Sequence, residues 1–208
     1  AGVRPSEVRS RAWSTYTRPP VGRAQGARRP AAAARGTAVP AGGGGARDWR
    51  AGRGSGAGGF GGVVDLGGGW RSGTGIVDAD LSDWDWLNDR LVRTLQHTSR
   101  AFHDAIKASP RGRVVLISTV QASAPSATDA SYAAAKAAAE AWTLAVADSF
   151  KNSGAAAVIL QIKALVTPAM RAEKPGAMFA GYTPVGQLAD TIHDLWLRPA
   201  AELNGKRQ

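Results

Sequence analysis

The 208-residue chain has no cysteine, which excludes a disulfide framework and any Cys-ligated zinc site. It has no run of about 18 apolar residues, so no membrane-spanning helix is expected. Its opening residues lack the compact apolar stretch of a secretory signal peptide, and the cytoplasm is the expected compartment. Residues 1–72 contain no lysine and no isoleucine, and only one leucine. With Val and Phe included, eight of these 72 positions are Leu, Ile, Val or Phe, about 11%, against the roughly 20% below which a charged segment does not fold.

What residues 1–72 do hold is 12 arginines, three acids (Glu7, Asp48, Asp65), 18 glycines and five prolines. The formal charge of the whole chain is +10, and +9 of it lies here. The remaining 136 residues are close to neutral, with 14 basic and 13 acidic side chains. A charge of this size usually marks a nucleic-acid or anionic-surface binder. Concentrated in one segment, it marks a compositional boundary instead. The reading is therefore a disordered Gly/Arg/Ala/Pro-rich segment over residues 1–66 and a folded domain over 67–208. Such a segment could be a basic arm on phosphates or a transit peptide. The mixture is also what a GC-rich gene read out of frame would encode, and the abrupt switch near Gly67 favours that origin. Gly54-Ser55-Gly56-Ala57-Gly58-Gly59 formally matches G-x-G-x-x-G, as does Gly56 through Gly61. No strand precedes it in the pattern and no helix follows, so composition accounts for the match.

Beyond residue 72 the pattern alternates between helix and strand. Ser82 with Asp85 three positions later is a variant capping box. Leu87, Leu91, Leu95, Phe102 and Ile106 then recur at helical spacing, predicting a helix of about 25 residues that ends before Pro110 and Gly112. Val114-Val115-Leu116-Ile117 is a short apolar run without alternation, as in a strand covered on both faces. A polar loop from Ser118 to Asp129 leads to an alanine-rich helix over about Ser131 to Lys151. Ala156 to Ile162 is a second buried strand. Thr183-Pro184 starts a last helix, lined by Leu188, Ile192 and Leu195 and ended by Pro199. Helices alternating with buried strands predict an α/β parallel sheet with helices on both faces.

Tyr132 and Lys136 stand four apart near the start of the alanine-rich helix and so share a face. They follow a strand whose carboxyl end is Ser118-Thr119, and active sites of parallel sheets gather at strand carboxyl ends. A tyrosine there serves as acid and base if its pKa falls, which a nearby ammonium favours. A strand-end hydroxyl can polarise a substrate carbonyl. By contrast, Asp78 to Asp85 is no calcium loop, since the required glycine and glutamate positions hold Asp83 and Asp89. These acids suit a helix start. His97, His103 and His193 have no partner at metal spacing, and Trp84 and Trp86 read as packing residues.

Gly112-Arg113-Val114-Val115-Leu116-Ile117-Ser118-Thr119 and Tyr132-Ala133-Ala134-Ala135-Lys136 resemble the serine strand and Y-x-x-x-K helix of the short-chain dehydrogenase/reductase family. The resemblance runs from about Gly67 to the C-terminus. It implies a Rossmann-like fold and an NAD(P)-dependent oxidoreductase moving hydride between nicotinamide and a carbonyl or alcohol substrate. It further implies Tyr132 as acid/base and Lys136 as its electrostatic partner and a hold on the nicotinamide ribose. The family hydroxyl stands thirteen residues before the tyrosine, at Thr119, with Ser118 as the neighbour that could replace it. Thr167 resembles the threonine that meets the nicotinamide carboxamide, although Lys163-Ala164 replace the usual Pro-Gly. Thr183 to Gly205 resembles the last helix and the turn before the final strand. Pairing of two copies through the long helix and the Tyr132 helix is implied as well; membrane or nucleic-acid partners are not. Three departures stand out. Residues 1–66 contain no T-G-x-x-x-G-x-G cofactor loop, Leu66-Gly67-Gly68-Gly69 stands at the N-N-A-G position, and Leu91 replaces the catalytic asparagine. A non-catalytic remnant of the family is the alternative these departures support.

Overall fold

A computed structural model describes residues 37–39, 61–71, 73 and 75–208. Three parallel strands form the centre of the sheet: β2 (Gly62–Asp65), β3 (Arg113–Thr119) and β4 (Ala156–Ile162), with β3 in the middle. β1 (Thr37–Val39) pairs antiparallel along the free edge of β2. Lys206 to Gln208 pairs with β4, through Ile159 N–H to the Lys206 carbonyl (3.0 Å) and Gln208 N–H to the Ile159 carbonyl (2.9 Å).

Each crossover between the parallel strands carries helix. Between β2 and β3 run α1 (Ser82–Leu87), a π-helical turn (Asn88–Arg93) and α2 (Thr94–Ala108), which together make up the predicted long helix. α3 (Ala130–Ser149) links β3 to β4. After β4 come the short pair β5 (Leu165–Val166) and β6 (Thr183–Pro184), with α4 (Pro168–Glu173) between them. α5 (Val185–Asp194) and α6 (Ala200–Leu203) follow. Among the described residues no helix is long and apolar enough to cross a membrane.

The period of two along the strands divides the core. Val64, Val115, Ile117, Ala156, Val158 and Leu160 face Leu188, Leu195 and Leu203 of the C-terminal segment. Their neighbours point the other way: Val63, Val114 and Ala157 meet Ile106, Val146 and Phe150, and Leu116 and Ile159 meet Leu95 and Ala139. Both faces are therefore covered, as the unalternating apolar runs require. The fold is an α/β Rossmann-like sheet with helices on both faces.

Several local expectations need correction. β2 lies before the boundary drawn at residue 66, and all four of its residues are buried. The rest of the expected disordered segment, including the glycine motif at 54–59, lies outside the described residues. Ser82 is the first residue of α1 and not its cap. The N-cap residue is Leu81, whose side chain caps nothing, and the Ser82 N–H goes to Oδ1 of the preceding Asp80 at 2.9 Å. The Ser82 hydroxyl and backbone hydrogen bonds hold the Asp80 carboxyl below its ordinary range. Thr183-Pro184 is strand, so Pro184 precedes α5 as its cap residue. The reason is that the Thr183 N–H pairs with the Ala164 carbonyl at 2.8 Å, which keeps this dipeptide extended.

Candidate active site

β3 carries opposite chemistry at its two ends. At its start Arg113 is 1% exposed, and its guanidinium donates only to backbone carbonyls. Nε reaches Leu195 (2.9 Å), Nη1 reaches Gly112 (2.8 Å) and Gly154 (3.0 Å), and Nη2 reaches Arg198 (2.7 Å). At its carboxyl end β3 offers Ser118 and Thr119, both buried.

α3 places its polar residues over that end. Tyr132 lies in the first turn, half-buried against Leu87, Leu91, Val92 and Ala135. One turn later Lys136 is 5% exposed, and its Nζ donates to the Ile117 carbonyl at 2.9 Å. This bond fastens the Tyr132 helix to the strand end that holds the hydroxyls. One further turn on, Glu140 is buried, and its Oε1 accepts from the Ser118 hydroxyl at 2.5 Å.

The electrostatics differ from the expectation in one respect. Burial pushes the Tyr132 phenol above its ordinary pKa, and the Asp129 carboxylate pushes it the same way. Burial also pulls the Lys136 amine down, against Asp65 and Glu140, which favour its charged form. The lysine thus faces two carboxylates, and its charge is shared with them instead of being turned wholly on the phenol.

Thr119 sits in a network of its own. Its hydroxyl donates to Gln121 Oε1 (3.1 Å), Gln121 Nε2 donates to Asp129 Oδ2 (2.9 Å), and the Ser126 hydroxyl donates to the same oxygen (2.7 Å). The polar loop is thereby folded back so that Thr119 and the start of α3 are joined through Gln121 and Asp129. Thr167 stands apart, after β5, where its hydroxyl accepts the Met170 N–H at 3.1 Å and caps α4. Leu91, at the position of the family asparagine, is buried and apolar.

Three residues here are not singled out by the sequence pattern: Asp65, Gln121 and Glu140. Asp65 closes β2, with Oδ1 accepting the Gly67 N–H at 2.6 Å and Oδ2 buried without a hydrogen-bond partner among the described residues. Burial raises its pKa, against the Gly67 hydrogen bond and Lys136. Glu140 could have been found, since it lies four residues beyond Lys136 on the same helical face.

The fit to a nicotinamide dinucleotide divides between its two ends. Lys136 uses one of three ammonium donors in a hydrogen bond among the described residues, so it has donors for a ribose hydroxyl. The Thr167 hydroxyl accepts one bond and keeps its own hydrogen to give. A doubly wound sheet holds the pyrophosphate at the glycine turn of a parallel strand beside the one that β2 represents. Here β1 pairs with that edge antiparallel, and among the described residues no strand–glycine turn–helix unit lies there. Among the described residues the fit is to the nicotinamide end alone. Among the described residues no cluster of His, Asp or Glu could hold a metal.

Comparison with solved structures finds the same fold in short-chain dehydrogenases. A short-chain type dehydrogenase/reductase from Mycobacterium ulcerans matches with a TM-score of 0.60 at 19% identity, over 70% of this chain and 57% of that one. An NADPH-bound short chain oxidoreductase from Pseudomonas aeruginosa PAO1, described as containing an atypical catalytic center, matches with a TM-score of 0.62 at 18% identity, over 73% and 64%. A gluconate 5-dehydrogenase from Burkholderia cenocepacia J2315, in complex with NADP and tartrate, matches with a TM-score of 0.58 at 20% identity, over 73% and 63%. The chain thus spans less than two thirds of the length of these structures. No curated protein matches the chain. The short chain dehydrogenase family model matches residues 62–177, more than half of the chain, and on that match the protein belongs to this family.

Proposed function

We propose that this chain carries the catalytic side of an NAD(P)-dependent oxidoreductase that interconverts a small carbonyl compound and its alcohol. The observation that supports this best is the Lys136 Nζ bond to the Ile117 carbonyl, which brings the Tyr132 helix and the Ser118-Thr119 strand end together. Tyr132 is the proton donor to the carbonyl oxygen. A phenol whose pKa is raised stays protonated at neutral pH, which suits reduction. Oxidation needs the phenolate, so it gains as pH rises. Lys136 stabilises the phenolate left after proton transfer and would hold the nicotinamide ribose. Thr119 gives its hydroxyl hydrogen, now on Gln121, to the developing alkoxide. Ser118 is the substitute hydroxyl, and Thr167 would meet the carboxamide. When bound, the nicotinamide supplies the hydride.

A non-catalytic member of the family is the second reading, favoured by the antiparallel β1 at the edge where the pyrophosphate loop belongs. Titration with NADH and NADPH, followed by nicotinamide fluorescence, separates the two. Saturable binding below millimolar cofactor, lost in Lys136→Met, supports the enzyme; no binding at millimolar cofactor removes it. Pairing of two copies through the long helix and α3 belongs to the same proposal and is read from sedimentation.

A further inference from the structure

Glu140 is the most connected side chain at the carboxyl end of the sheet. It is 2% exposed and gathers four elements. From α3 its Oε1 accepts the Ser118 hydroxyl of β3 (2.5 Å) and Gln161 Nε2 of β4 (2.8 Å). Its Oε2 accepts Arg207 Nε of the C-terminal segment at 2.7 Å. Burial alone would neutralise such a carboxyl, yet these three donors hold it below its ordinary pKa and therefore ionised. An ionised carboxylate one helical turn from Lys136 acts on the lysine directly. The charged groups that face Lys136 are Glu140 from its own helix and Asp65 from β2; β3 contributes only the Ile117 carbonyl.

We propose that Glu140 is a positioning residue: it commits the Ser118 hydroxyl as a donor away from substrate, leaving Thr119 as the reacting hydroxyl, and it keeps Lys136 an ammonium ion. The role rests on the reading of Tyr132, Lys136 and Thr119 given above, but its first test does not require activity. Ser118 has one hydrogen to give, and Glu140 takes it at short range. Thr119 is held by the neutral amide of Gln121 at 3.1 Å, a weaker partner that a carbonyl can displace.

The full chain is labelled with 13Cε lysine, and its six lysines are followed by NMR as pH rises, with Lys136→Arg assigning the signal. Lys136 titrates below the ordinary lysine range in the native chain. Glu140→Gln keeps the size of the side chain and removes the charge, and it lowers the Lys136 midpoint by about one pH unit. Arg207→Gln, on a half-exposed residue, leaves the core intact and moves the same midpoint by less, which covers the case that Glu140→Gln does not fold. An unmoved Lys136 midpoint in both variants overturns the proposal. Where the native chain reduces a carbonyl substrate, Glu140→Gln lowers kcat about tenfold and shifts the pH profile with little change in KM for substrate. A fall in thermal stability with an unchanged pH profile marks a purely structural role and also overturns it. Loss of cofactor binding in the native chain would sink the enzyme reading while leaving the lysine titration able to decide this one.

Discussion

Arg113 and Lys136 are both buried cations tied to β3, one at each end, and they are satisfied in opposite ways. Arg113 spends its guanidinium on four backbone carbonyls from the Gly112 and Gly154 turns and the end of α5. A planar fork suits several fixed acceptors, and four of its five N–H groups are used here. Lys136 meets one carbonyl and two carboxylates that share its charge. A buried amine with spare donors and a lowered pKa is poised to respond to whatever enters beside it. One end of the strand spends its cation on structure, and the other keeps donors to give.

The sharpest way to break this contrast is to remove each cation in turn. Arg113→Met takes the guanidinium from four backbone carbonyls, of which, among the described residues, only Gly112 keeps another donor, the Ala156 N–H at 2.9 Å. It is expected to cost about 3–5 kcal/mol, at roughly 1–3 kcal/mol for each carbonyl left unpaired. Urea unfolding measures it, and Arg113→Lys should recover only part, since an ammonium cannot reproduce the fork. Lys136→Met removes a desolvated charge and leaves one carbonyl unpaired, so the unfolding free energy should change by only about 1 kcal/mol. If Lys136→Met costs as much as Arg113→Met, the two ends are not different in kind. Tyr132→Phe completes the comparison at the Ser118-Thr119 end. Carbonyl reduction should fall about 10²–10⁴-fold while the urea midpoint stays in place.

The next effect concerns β2, where sequence and structure part most clearly. A side chain at Gly62 would put its Cβ 2.1 Å from the Arg113 carbonyl oxygen and 2.9 Å from the Trp196 ring, at a φ of +151°. The neighbouring Gly61 carbonyl accepts the Trp196 indole N–H at 2.9 Å. Gly62→Ala is therefore expected to cost roughly 2–3 kcal/mol through strain and overpacking, read as a fall in the unfolding midpoint. In a stretch holding 18 glycines in 72 residues, such a position looks like one more flexible residue. Its requirement comes from Arg113 and Trp196, which are far along the chain.

The same distance decides what could be seen of the site. β3, β4 and α3 were legible because their signals are local: unbroken apolar runs, and alanines at helical spacing. Tyr132, Lys136 and Thr119 were legible because a family pattern links them over seventeen residues. Asp65 and Glu140 were not, because a carboxylate reads as solvated until its burial is known. Glu140 owes its state to Ser118, Gln161 and Arg207, separated from it by 22, 21 and 67 residues. The capping of α1 failed for a smaller reason: the N-cap position falls on Leu81, between Asp80 and Ser82, which are both residue types that favour caps.

The smallest expected effect sets the two unforeseen carboxylates against each other. Glu140 has its folded pKa lowered, so the stability it contributes is present above its unfolded value and is lost as pH falls through the folded one. Asp65 has its folded pKa raised, so its ionised form opposes folding at neutral pH, and that opposition fades as pH falls through the folded value. Asp65→Asn should consequently raise the urea midpoint at pH 7, by roughly 0.5–1 kcal/mol in free energy, with the gain shrinking toward pH 4. Glu140→Gln should lower stability at pH 7, with the loss shrinking below the unfolded carboxyl range. Removing Asp65 also takes a counter-charge from Lys136, so the lysine midpoint should fall in the same variant. A chain that becomes less stable at pH 7 on Asp65→Asn would show that the Lys136 attraction outweighs the burial of Asp65. The Ser118-Thr119 end of the strand would then depend on its buried cation for stability, as the Arg113 end does.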